Sequence, residues 1–125
     1  MTYDVDYFIN KFSAIPEEKW VINNAHSKDG KKHCAYGHCG ANGAAELEGQ
    51  ALAAIAEKND IQIADINDGD DPKYQQKTPK QRILAALYDI KKLQPTEEKV
   101  KEIIRYVAID ADIRKETKEL ELIEN

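Results

Sequence analysis

Thr78-Pro79-Lys80-Gln81-Arg82-Ile83-Leu84-Ala85-Ala86-Leu87-Tyr88-Asp89-Ile90 is the stretch that decides the fold class. Thr78 suits a helix cap, Pro79 the first turn, and Gln81 stands where a capping box needs an amide to reach back. Ile83, Leu84, Leu87 and Ile90 then recur at the 3.6-residue period and give the helix one apolar face. Pro95 ends this helix and Thr96 caps the next, whose stripe is Val100, Ile103, Ile104, Val107 and Ala111. From Lys115 to Asn125 the chain is mostly charged, with Leu120, Leu122 and Ile123 as its apolar anchors.

Working back from Thr78, a polar loop of about eleven residues begins at Asn67-Asp68-Gly69, longer than most connections. Ile61-Gln62-Ile63-Ala64-Asp65-Ile66 alternates and predicts a short strand or extended segment. Asn42-Gly43 signals a turn before a helix whose inward residues are Leu47, Ala51, Leu52 and Ile55. Residues 21–36 turn at Asp29-Gly30 and read as a small β-hairpin. Pro16-Glu17-Glu18 opens a short helical turn ending near Trp20, with two acids at the positive end of its dipole. Val5, Phe8, Ile9 and Phe12 mark the first helix. The expected fold is mainly α, four to five helices around one core with a small β-hairpin. A chain of 125 residues suits a single domain, 1–125, with a body at 1–92 and a C-terminal helix and charged tail at 96–125.

Composition narrows the classes of function. The net charge is −5 and its excess is spread along the chain, which argues against non-specific binding to nucleic acid, where counterion release by Lys and Arg drives affinity. No apolar run approaches bilayer length, and Asp4 and Asp6 stand where a secretory signal needs basic residues. A cytoplasmic protein without a membrane role is the expectation. Two cysteines, Cys34 and Cys39, make no disulfide framework.

Chemistry concentrates in one short stretch. His26, His33, Cys34, His38 and Cys39 include all three histidines and both cysteines. Imidazole and thiolate are the ligands Zn²⁺ prefers, so Cys34, His38, His33 and Cys39 are candidate metal ligands and zinc a candidate cofactor. A helix starting near Cys34 would put Cys34 and His38 on one face, with His26 or His33 approaching from the hairpin. Gly37, Gly40 and Gly43 match neither G-x-G-x-x-G nor the P-loop, yet helix-start amides near Ala44, with Lys28, Lys31 and Lys32 beside them, could hold an anion. The aspartates between Asp65 and Asp71 miss the calcium-loop spacing and read as turn and cap residues. Trp20, Tyr36 and Tyr74 are the aromatic candidates for a pocket wall, completing a candidate ligand-binding set of Trp20, Tyr36, Gly37, Gly40, Asn67, Asp68 and Tyr74.

In order, the chain carries Trp20, the turn at Asp29-Gly30, Cys34-Ala35-Tyr36-Gly37, an Ala- and Leu-rich helix, Ala64-Asp65-Ile66-Asn67-Asp68, and Thr78 before an apolar helix. This order resembles a family of small bacterial and phage proteins of unknown function, over roughly residues 5–92. After Cys-Ala-x-Gly that family has small apolar residues, where this chain has His38 and Cys39. The resemblance implies a fold and a mobile-element origin, and no mechanism. No nucleophile, base and orienting group can be named together, so the expected function is non-catalytic. The chain would bind a host protein or a signalling nucleotide and interfere with host defence. The alternatives are a virion or assembly protein acting by self-association, as a homo-oligomer, and a metal-dependent enzyme using Cys34 and His38.

Overall fold

The computed structural model describes residues 2–93; Pro95, Thr96, the stripe from Val100 to Ala111 and the charged tail lie outside them. Four α-helices occur among the described residues: α1 (Val5–Ser13), α2 (Leu47–Lys58), α3 (Ile63–Asp68) and α4 (Pro79–Leu93). Single 3-10 turns at Glu17–Lys19, Gly37–Cys39 and Gly43–Ala45 punctuate the long connection between α1 and α2. The mainly α expectation holds. No helix among these residues is long and apolar enough to cross a membrane.

Local chemistry starts the long helices where the sequence places them. The Asp4 carboxylate accepts the Tyr7 amide at 2.8 Å and caps α1, using one of the free N–H groups at a helix start. Thr78 Oγ1 accepts the Gln81 amide at 3.2 Å and caps α4. Val5, Phe8, Ile9 and Phe12 of α1 are buried, as are Ile83, Leu87 and Ile90 of α4. These two stripes face each other, and α3 packs on the same helix α4. Helix α2 joins through Glu48, whose carboxylate accepts the Tyr7 hydroxyl at 2.8 Å and pairs with Lys11 at 2.7 Å.

Three expectations need correction. Residues 61–66 form no strand, because Ile63 and Ile66 are three apart on α3 and both are buried. Leu47 does not face inward; it is 69% exposed, and Gly49, Leu52 and Ala56 form the buried side of α2. The β-hairpin at 21–36 is also absent: the described residues contain isolated bridges, Trp20 with His33 and His26 with His33, and no strand. The turn itself forms, with the Ser27 amide donating to Lys32 O at 2.8 Å and Asp29 accepting from Ser27 Oγ and the Lys31 amide. Its arms cannot extend into a ladder. The amide of His33 donates to Lys19 O and its carbonyl accepts from Val21 N, so these groups are spent on the preceding segment. Asn23, at φ 66°, bends the first arm as well.

What fixes this irregular segment is a polar lock that hydrophobic patterning does not reveal. Arg82, only 7% exposed, donates from Nε to Ile66 O at 3.0 Å, from Nη2 to Asn67 O at 2.7 Å and from Nη1 to Gln76 O at 2.8 Å. The fully buried Asn67 side chain accepts the Ala35 amide at 3.1 Å and donates to Val21 O at 2.9 Å. Gly69 ends α3 at φ 82°, a left-handed conformation that glycine adopts without cost from a Cβ.

Arg82→Met strips charged donors from three carbonyls, two of them at a buried helix end. The expected loss is roughly 3 kcal/mol of stability, with Asn67→Ala costing about 2 kcal/mol, read as lowered urea midpoints. A second expectation concerns Glu48. Burial alone would raise its pKa, but hydrogen bonds from Lys11 and Tyr7 outweigh that and hold it below 4.5. A depressed carboxylate contributes stability above its unfolded pKa and loses it as pH falls through its folded value. The melting temperature of Glu48→Gln will therefore show a shallower acid decline than wild type below about pH 4.5.

Candidate functional site

All three histidines of the chain meet in one cavity of about 490 Å³, lined by His26, His33, His38, Gly30, Gly37, Gly40 and Ala41. Two local structures bring them there. His26 and His33 flank the Ser27–Lys32 turn, and His38 sits in the 3-10 turn Gly37–Cys39. Gly37 makes the approach possible, because a Cβ at this position would collide with the carbonyl of Ala25.

The rings form a sequence of edge contacts. His26 and His33 centroids are 4.8 Å apart, and His33 and His38 are 5.2 Å apart. His38 meets the Trp20 indole at 4.6 Å, and Trp20 meets Phe12 at 5.4 Å. A line of rings thus runs from the surface cavity into the core. His26 Nδ1 and His33 Nδ1 are hydrogen-bonded at 2.7 Å, and His26 Nε2 lies 3.0 Å from Ala41 O. His38 Nε2 is buried and has no hydrogen-bond partner among the described residues.

For His33 and His38 this setting favours the neutral imidazole. Burial, then the neighbouring His33 and Lys11, pulls the pKa of His38 down to about 4, with the Lys19 carbonyl offsetting part of the effect. His33 is lowered too, by burial first and then by His26. Taking a cation out of water without a counter-charge is the common cause.

The other candidate residues lie elsewhere. Cys34 opens into a smaller cavity of about 150 Å³ with Asn23, Asn24, Ala25, Ala64, Asn67 and Asp68, so it does not share a cavity with His38. Cys39 is buried; its thiol donates to Ala35 O at 3.5 Å, and burial pushes its pKa up to about 12. Among the described residues, no three His, Cys, Asp or Glu side chains already surround one ion-sized point. Tyr36 lines a third cavity, of about 240 Å³, between α2 and α3, and burial raises its pKa. Tyr74 is buried, and its hydroxyl donates to Asp89 at 2.9 Å. Trp20, Tyr36 and Tyr74 therefore do not share one pocket wall. Asn67 and Asp68 serve the lock, with Asp68 accepting the Asn23 amide at 2.8 Å.

The glycine loop carries an anion of its own. Glu46 Oε1 accepts the Asn42 amide at 3.2 Å, and its side chain lies where a Cβ on Gly40 would stand. Gly37 and Gly40 line the histidine cavity as backbone surface. His26 was the participant hardest to assign from sequence, since the hairpin reading gave its ring no direction; the clustering of every histidine within residues 26–38 was the available signal.

No protein-family model, curated protein or solved structure matches this chain.

The two thiols make a direct check on this geometry. An aromatic disulfide reagent will titrate Cys34 at native pH and leave Cys39 unreacted until urea unfolds the chain, because the thiolate is the reactive form. Equal rates for both thiols would contradict the burial of Cys39.

Proposed function

We propose that this chain is a non-catalytic binding protein that presents the loop face between Trp20 and Glu46 to a protein partner. The observation that carries the reading is the fixing of an irregular, sheet-free loop to a helical body. Asn67 and Asp68 hold it at Val21, Asn23 and Ala35. Recognition groups commonly sit on loops held by a rigid scaffold.

The chemistry of that face suits an acidic partner surface. Lys28, Lys31 and Lys32 are exposed on the turn beside the histidine cavity, in a chain whose net charge is negative. A signalling nucleotide is the competing occupant. Glu46 favours the protein, since its carboxylate already takes the Asn42 amide of the glycine loop and sets a negative charge where a phosphate would approach. Interference with a host defence follows only from the resemblance to phage proteins and belongs to the same proposal. An enzyme built on Cys34 and His38 gains no support from two side chains that open into different cavities.

The test is capture from bacterial lysate by tag-free protein, alongside thermal-shift measurements with nucleotides. The expected outcome is a discrete protein partner that the Lys28→Glu, Lys31→Glu, Lys32→Glu variant no longer holds, with no nucleotide shift. Failure to recover a partner, together with no shift for any nucleotide, would overturn the reading.

A further inference from the structure

We propose that His26, His33 and His38 form a site for a divalent first-row transition metal, with Zn²⁺ the best-suited ion. The site stands on its own geometry and is independent of the binding-protein reading.

Ring spacing is the first support. Two imidazoles sharing a tetrahedral zinc, each nitrogen about 2.05 Å from the ion, have centres roughly 5 Å apart. The observed separations are 4.8 Å for His26–His33 and 5.2 Å for His33–His38. Each neighbouring pair stands at coordinating distance, with His33 between the other two, and the first pair is turned so that its rings bond each other.

The hydrogen bonds give the second support. A carbonyl oxygen only accepts, so a His26 ring with one N–H carries it on Nε2, facing Ala41 O at 3.0 Å. Its Nδ1 is then a bare lone pair facing the cavity partner. A ligating histidine usually donates its other ring N–H to a backbone carbonyl in this way, which fixes tautomer and orientation. The bond at 2.7 Å between His26 Nδ1 and His33 Nδ1 requires His33 Nδ1 to carry the shared proton. An ion would take that proton's place, and the proton would pass through solvent to His33 Nε2, so the ring stays a neutral imidazole. The two nitrogens would part from 2.7 Å to roughly 3.4 Å, the spacing tetrahedral zinc requires. Among the described residues no three such side chains surround one point, so the site closes only when the third ring also turns.

The third ring supplies what is missing. His38 borders the same cavity and contacts His33, and its Nε2 is buried without a partner among the described residues. Buried polar nitrogens are nearly always satisfied; turning this ring toward the ion would satisfy it. Gly30, Gly37 and Gly40 at the cavity wall bring no side chains to block entry, leaving the fourth coordination position to water.

Titration of Co²⁺ into chelator-treated, full-length, tag-free protein tests the site through its visible d–d absorption. The expected result is a saturable signal at one Co²⁺ per chain, reversed by Zn²⁺. Affinity should fall at least about tenfold in His26→Gln and in His33→Gln and stay unchanged in Cys34→Ser. Because His38 packs against Trp20, His38→Gln risks misfolding; His26→Gln, on the half-buried surface, carries the decision after circular dichroism verifies its helix content. No saturable signal at micromolar Co²⁺, wild-type affinity in His26→Gln, or loss of binding in Cys34→Ser would each overturn the proposal.

Discussion

A helix as short as α3 closes few of its own hydrogen bonds, and its Ile66 and Asn67 carbonyls are turned toward the buried Arg82. Arg82 of α4 answers them with a fork of N–H donors, placing a positive charge at the negative end of the α3 dipole. Water can no longer reach these groups, so the bonds cannot be exchanged for hydration without leaving buried carbonyls bare. With α3 fixed on α4, the Asn67 side chain has one direction to point, and it clasps Val21 and Ala35 from two sides. The loop carrying the histidines gains its shape from that clasp, since no ladder of strands supports it.

Much of the helical body was legible in the sequence. In α4 a strong cap and an apolar stripe agree about where the helix begins, and α1 shows in its stripe alone. Helix α3 was illegible for the opposite reason. Six residues offer too little length for a helical period to be told from alternation, and Ile61, Ile63 and Ile66 satisfy both patterns in part. Arg82 was hidden because a charged residue reads as solvated until its partners are known. The Asp29-Gly30 turn was correctly located, but a turn signal says only that the chain reverses. Whether the arms pair depends on which carbonyls are already engaged, and His33 is committed to Lys19 and Val21.

The chemistry-bearing residues show the same limit. Composition placed every histidine and cysteine in one stretch, while their directions depended on backbone that alternated between bends and tight turns. Helical spacing put Cys34 and His38 on a common face. The His38 amide does bond Cys34 O at 2.9 Å, one α-type turn, but the chain tightens at once into the 3-10 turn Gly37–Cys39 and no helix follows. Cys34 then faces the amide-lined cavity beside Asn67, and His38 faces the imidazoles.

The chain has a single tryptophan, and its indole lies edge-on to His38 at 4.6 Å, with its other neighbour in the core at Phe12. Indole emission responds to the polarity, charge and motion of whatever touches the ring. Trp20 is therefore a native optical gauge of the cavity: anything that turns or occupies the His38 imidazole alters the colour or yield of the protein's own fluorescence. The molecule reports on its own pocket without a label, from a position too deeply buried for solvent to disturb.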